Sequence, residues 1–137
     1  MAQQRLSGSC LCGKVTYEAV GEPQRFYFCH CSRCRKASGS AHAANIFLQP
    51  GTLRFLTGEN QIRKFRVPEA QRFANHFCSD CGARLPRSGG ADTIVIPAGS
   101  LNTDAPIEPQ ARIFMGSRAS WSCHGDSVPC FDELPTG

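Results

Sequence analysis

The spacing of its nine cysteines constrains this chain more than any other feature of the sequence. An odd number of cysteines cannot be fully paired within one chain, and doublets two or three residues apart are typical of metal sites. We therefore expect metal-binding thiolates rather than a disulfide framework. The cysteines form four groups: Cys10 and Cys12; Cys29, Cys31 and Cys34; Cys78 and Cys81; Cys123 and Cys130.

The overall composition predicts one globular domain over residues 1–137. The 137 residues are 41% hydrophobic and 19% charged, enough to bury a core and unlike a disordered chain. The formal charge of +4 is spread along the sequence instead of forming a basic stripe. No run approaches the roughly 20 apolar residues of a membrane-spanning helix. We expect neither a nucleic-acid nor a membrane partner.

The first ten residues, MAQQRLSGSC, lack the apolar segment of a secretory signal peptide. The expected location is therefore cytoplasmic, where thiols stay reduced and available to metal ions.

Short apolar segments that alternate with period two predict an all-β fold, either an antiparallel β-sandwich or a related small β fold. In one of them Val15, Tyr17 and Ala19 share a face. Residues 32–38 are expected to hold at most one or two helical turns. Because short strands leave a thin core and structural zinc contributes folding free energy, we expect more than one zinc. The predicted strand segments are 14–20, 24–29, 43–49, 51–58, 61–67, 72–78, 93–99 and 111–117.

The first and third cysteine groups share a glycine after their second cysteine, Gly13 and Gly82. In a zinc knuckle the backbone turns sharply there, and glycine tolerates the positive φ that this turn often requires. The two groups therefore predict half-sites that together close a four-cysteine structural zinc site. The alternative is a set of buried free thiols.

The middle group supplies only three ligands, Cys29, Cys31 and Cys34. Three protein ligands and one exchangeable position are typical of a catalytic zinc, where the open position holds water or an incoming thiol. The alternative is a closed site completed by another residue, with the segment SCHGDSVPC as its strongest source. Because neighbouring side chains of an extended segment point in opposite directions, His30 is expected to face away from the sulfurs. The candidate fourth ligands are His30, His42, His76, Cys123, His124 and Cys130.

Four segments in order give a resemblance to a known family. They are GSCLCGKVTYE, CHCSRCRKASGSAHAANI, FCSDCGARL and a late SRASW. The sequence resembles the glutathione-dependent formaldehyde-activating enzyme family over about residues 6–135. The resemblance implies a zinc-stabilised β-tent fold, an all-β arrangement of small antiparallel sheets. It also implies two zincs per chain: a structural zinc on Cys10, Cys12, Cys78 and Cys81, and a zinc that contacts glutathione on Cys29, Cys31 and Cys34. Cys123, His124 and Cys130 depart from the family pattern.

The activity implied is that of a carbon–sulfur lyase of the S-(hydroxymethyl)glutathione synthase type, whose substrates are glutathione and formaldehyde. Around the three cysteines, Arg33, Arg35 and Lys36 are expected to attract the glutathione carboxylates, unless they form only a solvated face. Ser38, Gly39 and Ser40 are expected to offer amides and hydroxyls to the same ligand. Two other functions stay open: an enzyme for another small electrophile or glutathione adduct, and a non-catalytic interaction module with two closed zinc sites.

Overall fold

Two long strands form the centre of the structure, a computed structural model that describes residues 3–71, 73–122 and 127–135. Strands β2 (Thr16–Cys29) and β3 (Ala43–Thr57) pair antiparallel along almost their whole length. Each unites two of the segments predicted as separate strands. Register shifts between residues 16 and 17 and between 21 and 25 interrupt this ladder, and such bulges let one long strand bend.

The other strands extend this pair into a six-stranded sheet with the order β1-β2-β3-β7-β6, and β8 pairs with β2. The β2–β8 pairing is parallel, whereas the others in this sheet are antiparallel. Strands β4 and β5 form a separate two-stranded antiparallel sheet. The remaining strands are β1 (Gln4–Ser9), β4 (Ile62–Arg66), β5 (Ala74–Cys78), β6 (Arg87–Ser88), β7 (Ile94–Pro97) and β8 (Ala111–Ile113).

Helical structure is limited to one two-turn α-helix and three short 3₁₀ helices among the described residues. Helix α1 (Ser32–Ser38) coincides with the segment predicted to be helical. The 3₁₀ helices are Glu59–Gln61, Ala98–Ser100 and Met115–Ser117. The prediction of an all-β fold with short helical turns is confirmed. No described helix is both long enough and apolar enough to span a membrane.

The main core lies on one face of the large sheet. Tyr17 and Ala19 are fully buried, as the alternation predicted. Burial raises the pKa of Tyr17 to about 12, and its hydroxyl is hydrogen-bonded to Ser100 Oγ at 2.6 Å. The register shifts move the buried positions from odd to even numbers along β2, so that Phe26 joins the same core. Near Cys29, residues on the opposite face of β2 therefore lie outside this core and are available to form a site.

Candidate metal centres and active site

The first and third cysteine groups come together, as predicted, in a four-cysteine cluster made of Cys10, Cys12, Cys78 and Cys81. Their sulfur atoms all lie within 4.8 Å of one another. The Cys10 and Cys12 sulfurs are 3.6 Å apart, and those of Cys12 and Cys78 are 3.9 Å apart. A tetrahedral zinc with bonds of 2.3 Å separates its sulfur ligands by about 3.8 Å. The donor set and its spacing therefore fit a zinc ion.

Two matching backbone turns build this cluster. The amide of Cys10 donates to the Val15 carbonyl at 3.0 Å, and the amide of Cys78 donates to the Ala83 carbonyl at 3.0 Å. Each turn contains a glycine of positive φ, +82° at Gly13 and +77° at Gly82. The conformation predicted for the two glycines is thus confirmed.

Amides in these turns stabilise thiolates. The Val15 amide donates to the Cys10 sulfur at 3.4 Å. Amides of Ala83 and Cys12 donate to the Cys81 sulfur, and they lower the pKa of that thiol to about 6. The two stabilised thiolates, those of Cys10 and Cys81, favour a cation at the centre of the cluster.

A second, three-cysteine cluster consists of Cys29, Cys31 and Cys34, whose sulfurs also lie within 4.8 Å of one another. Cys29 is the last residue of β2, Cys31 caps helix α1, and Cys34 lies in its first turn. The Cys34 amide donates to the Cys31 sulfur at 3.3 Å, in the manner of an N-cap side chain. Cys29 and Cys34 are buried, and Cys31 is half-buried. The strand end and the helix start thus aim all three sulfurs at one point.

The three thiols share negative charge unequally. The Cys34 thiol donates to the Cys29 sulfur and lowers the pKa of Cys29 to about 6, with further help from the Cys31 amide and the charge of Arg84. The same hydrogen bond, followed by burial, raises the pKa of Cys34. One thiolate therefore forms easily in the absence of metal. Ionising all three needs a bound cation, because like charges at this distance repel.

Within the described residues, no histidine, carboxylate or further cysteine supplies a fourth ligand to the three-cysteine cluster. Cys130 is exposed, and its sulfur lies 3.9 Å from the Val128 carbonyl. The other candidates from that segment, Cys123 and His124, lie outside the described residues. The described part of the chain therefore presents three ligands to this cluster.

The candidate histidines have other surroundings. His30 is buried, and its Nδ1 lies 3.4 Å from the Ser122 hydroxyl. His42 stacks on Phe28 with a centroid distance of 4.2 Å, and it lies 5.0 Å from the His30 ring. His76 lies on β5, where burial, followed by the charges of Lys64 and Arg87, lowers its pKa to about 4. None of the three belongs to a cysteine cluster.

The predicted substrate-binding residues lie in and after helix α1, and their described contacts are mostly local. The Ser38 hydroxyl donates to the Cys34 carbonyl at 2.7 Å, and the Ser40 amide donates to Ser38 Oγ at 3.3 Å. Gly39 ends the helix in a left-handed conformation, its amide donating to the Arg35 carbonyl at 2.8 Å. The buried Nε of Arg35 has no hydrogen-bond partner in the described part of the chain. Arg33 and Lys36 are exposed. Their substrate-binding role stays a prediction.

A cavity of about 800 Å³ lies between the large sheet and the β4–β5 sheet. Three arginines from three different strands line it, Arg25 of β2, Arg66 of β4 and Arg87 of β6, and we call it the arginine pocket. Phe47 and Val95 line it from the large sheet, and Ala74 and His76 line it from β5.

A fourth arginine lies beside the three-cysteine cluster. Burial lowers the pKa of Arg84, and its electrostatic interactions with Cys34 and Cys29 act in the opposite direction. Its Nε donates to Asn75 Oδ1 at 2.9 Å. The sequence interpretation did not include Arg84 or the arginines of the pocket. Apart from the position of Arg84 just after the second knuckle, no local pattern identifies them.

Comparisons with known proteins agree with these observations. A family model described as "Glutathione-dependent formaldehyde-activating enzyme" matches residues 5–117. Among solved structures, the chain is similar to a crystal structure of a Rhodobacter sphaeroides protein, with a TM-score of 0.53 and 22% identity. That similarity covers 78% of this chain and 99% of the other, and it shows a shared fold. No match was found among curated proteins.

Proposed function

Because this chain belongs to the glutathione-dependent formaldehyde-activating enzyme family, we propose that it joins glutathione to formaldehyde at the three-cysteine cluster. The observation that carries the proposal is the set of three converging sulfurs of Cys29, Cys31 and Cys34, to which no other described residue adds a ligand. Three protein ligands leave room for the sulfur of a substrate thiol.

The residues of both clusters fit zinc. Cys10, Cys12, Cys78 and Cys81 would hold a structural ion, because four thiolates leave no open position. Cys29, Cys31 and Cys34 would hold the second ion. When bound there, zinc would lower the pKa of an incoming thiol and keep its sulfur as a thiolate.

The proposed reaction forms one carbon–sulfur bond. Glutathione loses its thiol proton on binding, and its sulfur attacks the carbonyl carbon of formaldehyde. The carbonyl oxygen then takes up a proton, which gives S-hydroxymethylglutathione, and the reverse reaction is a carbon–sulfur lysis. Atoms and charges balance without an oxidant or a reductant.

The chain's own residues hold the reacting groups in place. The helix cap at Cys31 and the end of β2 fix the sulfurs, and Arg84 contributes positive charge beside them. Arg35 and Lys36, in the last turn of the helix, are proposed to attract a glutathione carboxylate. Ser38, Gly39 and Ser40 are proposed to border the same ligand.

The direct test is titration of glutathione into protein loaded with cobalt in place of zinc. If glutathione sulfur binds at the three-cysteine cluster, thiolate-to-cobalt charge-transfer bands increase, and Cys31→Ser removes that increase. Cys130→Ser is the matched control, because this exposed cysteine lies outside both clusters. Unchanged bands at saturating glutathione in the wild-type protein would disprove the proposal.

Counting protected thiols distinguishes an open site from a closed one. In zinc-loaded protein, protection of seven thiols from alkylation supports the open three-cysteine site. Protection of eight would show that Cys123 or Cys130 closes it, which favours the non-catalytic zinc module.

A further inference from the structure

Packing of the hydrophobic core does not explain why three arginines lie together in the arginine pocket. One row of paired residues crosses four strands of the large sheet: Arg25 pairs with Phe47, Phe47 with Val95, and Val95 with Arg87. Residues paired in this way lie on the same face of a sheet. Two guanidinium-bearing residues therefore flank an apolar floor, and Arg66 adds a third from the opposite sheet.

These cations have no anionic partner in the part of the chain that the structure describes. The ion pairs there join Arg5 and Arg54 to Glu18 and Lys14 to Asp80. Arg25 lies over the Phe47 ring, 4.9 Å from its centroid, and Arg87 donates to the Ser88 carbonyl at 3.3 Å. The charges of Arg84 and Arg66, after burial, lower the pKa of Arg87, so these like charges lie close together. Such a concentration of positive charge favours a bound anion.

The pocket and the three-cysteine cluster are parts of one surface. Arg25, Tyr27 and Cys29 alternate along β2 and share a face of the sheet, because the register of this stretch is regular. Arg25 and Cys29, at the two ends of this stretch, are about 13 Å apart along the strand, at 3.3 Å per residue. The thiol of glutathione is on its middle residue, so each carboxylate extends about two residues, or about 7 Å, from it, and the arginine side chains bridge the remaining distance. Arg87 also lies within electrostatic range of the Cys34 sulfur.

From this geometry we propose that the arginine pocket binds a carboxylate of the thiol substrate whose sulfur enters the three-cysteine cluster. The inference rests on the proposed function and specifies its ligand as an acidic thiol peptide. Arg25 and Arg87 form charge-assisted hydrogen bonds to the carboxylate, Arg66 closes the pocket from the β4–β5 sheet, and the floor of Phe47 and Val95 packs against the peptide chain. The pocket is thus a specificity element for acidic thiols over small neutral ones.

The test uses zinc-loaded protein and S-methylglutathione, which keeps both carboxylates but has no ionisable thiol. Calorimetry should detect binding to the wild-type protein. Arg25→Gln and Arg87→Gln should each weaken it about tenfold, which corresponds to about 1.4 kcal/mol. Arg63→Gln is the matched control, because it removes the same charge from an exposed position of β4 outside the pocket lining. The dimethyl ester of S-methylglutathione should bind much more weakly.

Several results would overturn the proposal: no binding of S-methylglutathione at millimolar concentration, equal binding by the variants and the wild type, or equal binding of the ester. If Arg87→Gln does not fold, Arg25→Gln and the exposed Arg66→Gln carry the test. Inorganic phosphate that competes as well as the peptide, without the ester effect, would mean a general anion site and would also overturn it. Failure of the proposed function is seen separately, as unchanged cobalt bands with glutathione.

Discussion

The two cysteine clusters differ in where their ligands come from. The four-cysteine cluster joins two backbone turns 66 residues apart, so a metal there links distant parts of the chain. The three-cysteine cluster takes all its ligands from residues 29–34, at the junction of β2 and helix α1. A metal in the first cluster closes a long loop, whereas a metal in the second closes almost none. From this difference we propose that the first cluster stabilises the fold and that the second is available for chemistry.

The largest expected effect comes from breaking the four-cysteine cluster. Cys78→Ser should leave the chain largely unfolded, because structural zinc sites contribute on the order of 10 kcal/mol and small domains are stable by about 5–15 kcal/mol. Circular dichroism and zinc analysis measure the loss. Cys130→Ser serves as the exposed control. A Cys78→Ser protein that melts like the wild type would show that this cluster does not stabilise the fold.

Breaking the three-cysteine cluster should abolish activity while the fold persists. Cys31→Ser should reduce the zinc content from two ions to one. It should lower catalysis by more than about 100-fold, the upper range for loss of an outer-shell partner of a metal ligand. Exchange NMR of glutathione, formaldehyde and S-hydroxymethylglutathione measures the rate. Cooperative unfolding near the wild-type temperature is the accompanying expectation, and a Cys31→Ser protein that unfolds as completely as Cys78→Ser would contradict the comparison.

Glycine substitutions give an intermediate effect at either cluster. Gly82→Ala in the second knuckle and Gly39→Ala after helix α1 should each cost about 1–2 kcal/mol, because both positions have positive φ. A Cβ at either position meets no atom within 4 Å, so the cost comes from the backbone alone. Gly99→Ala is the matched control, with equally open space and no positive φ. Thermal melts measure the difference.

These two glycine variants also test metal retention at each cluster separately. Gly82→Ala should weaken metal retention by the four-cysteine cluster, and Gly39→Ala should weaken it at the three-cysteine cluster. Chelator competition monitored in cobalt-loaded protein tells the two apart. Equal metal loss from both clusters in either variant would show that the clusters are not independent.

The smallest effect is expected at the surface of the four-cysteine cluster. Lys14, next to the first knuckle glycine, forms an ion pair with Asp80, between the two cysteines of the second knuckle. Because both groups are largely exposed, Lys14→Gln should lower the melting temperature less than Gly82→Ala does. The difference in melting temperature from the wild type should shrink in 1 M salt, where the screening length is about 3 Å. A large shift that persists in high salt would show that this ion pair stabilises the fold substantially.

Local patterns predicted the small elements well and the long ones poorly. Helix α1 coincides with residues 32–38, and Val15, Tyr17 and Ala19 are fully buried as expected. The predicted breaks inside β2 and β3 were wrong, because bulges let a long strand bend without ending. Of the segment 111–117, only Ala111–Ile113 forms a strand; Phe114 has a φ of +57°, and a 3₁₀ helix follows. Strands β1 and β6 carry too little apolar alternation to be recognised.

The sequence by itself predicted both cysteine clusters, because short spacings bring neighbouring sulfurs together and knuckle glycines mark the two distant turns that form one cluster. Within the described residues, the two clusters have four and three members. Only the tertiary structure decided which residues surround the three-cysteine cluster. Arg25, Arg66 and Arg87 are far apart in the chain, and the pairing of β2, β3, β7 and β6 and the position of the β4–β5 sheet bring them to one pocket. Non-local strand pairing of this kind leaves no local signal, so the pocket could be found only in the folded molecule.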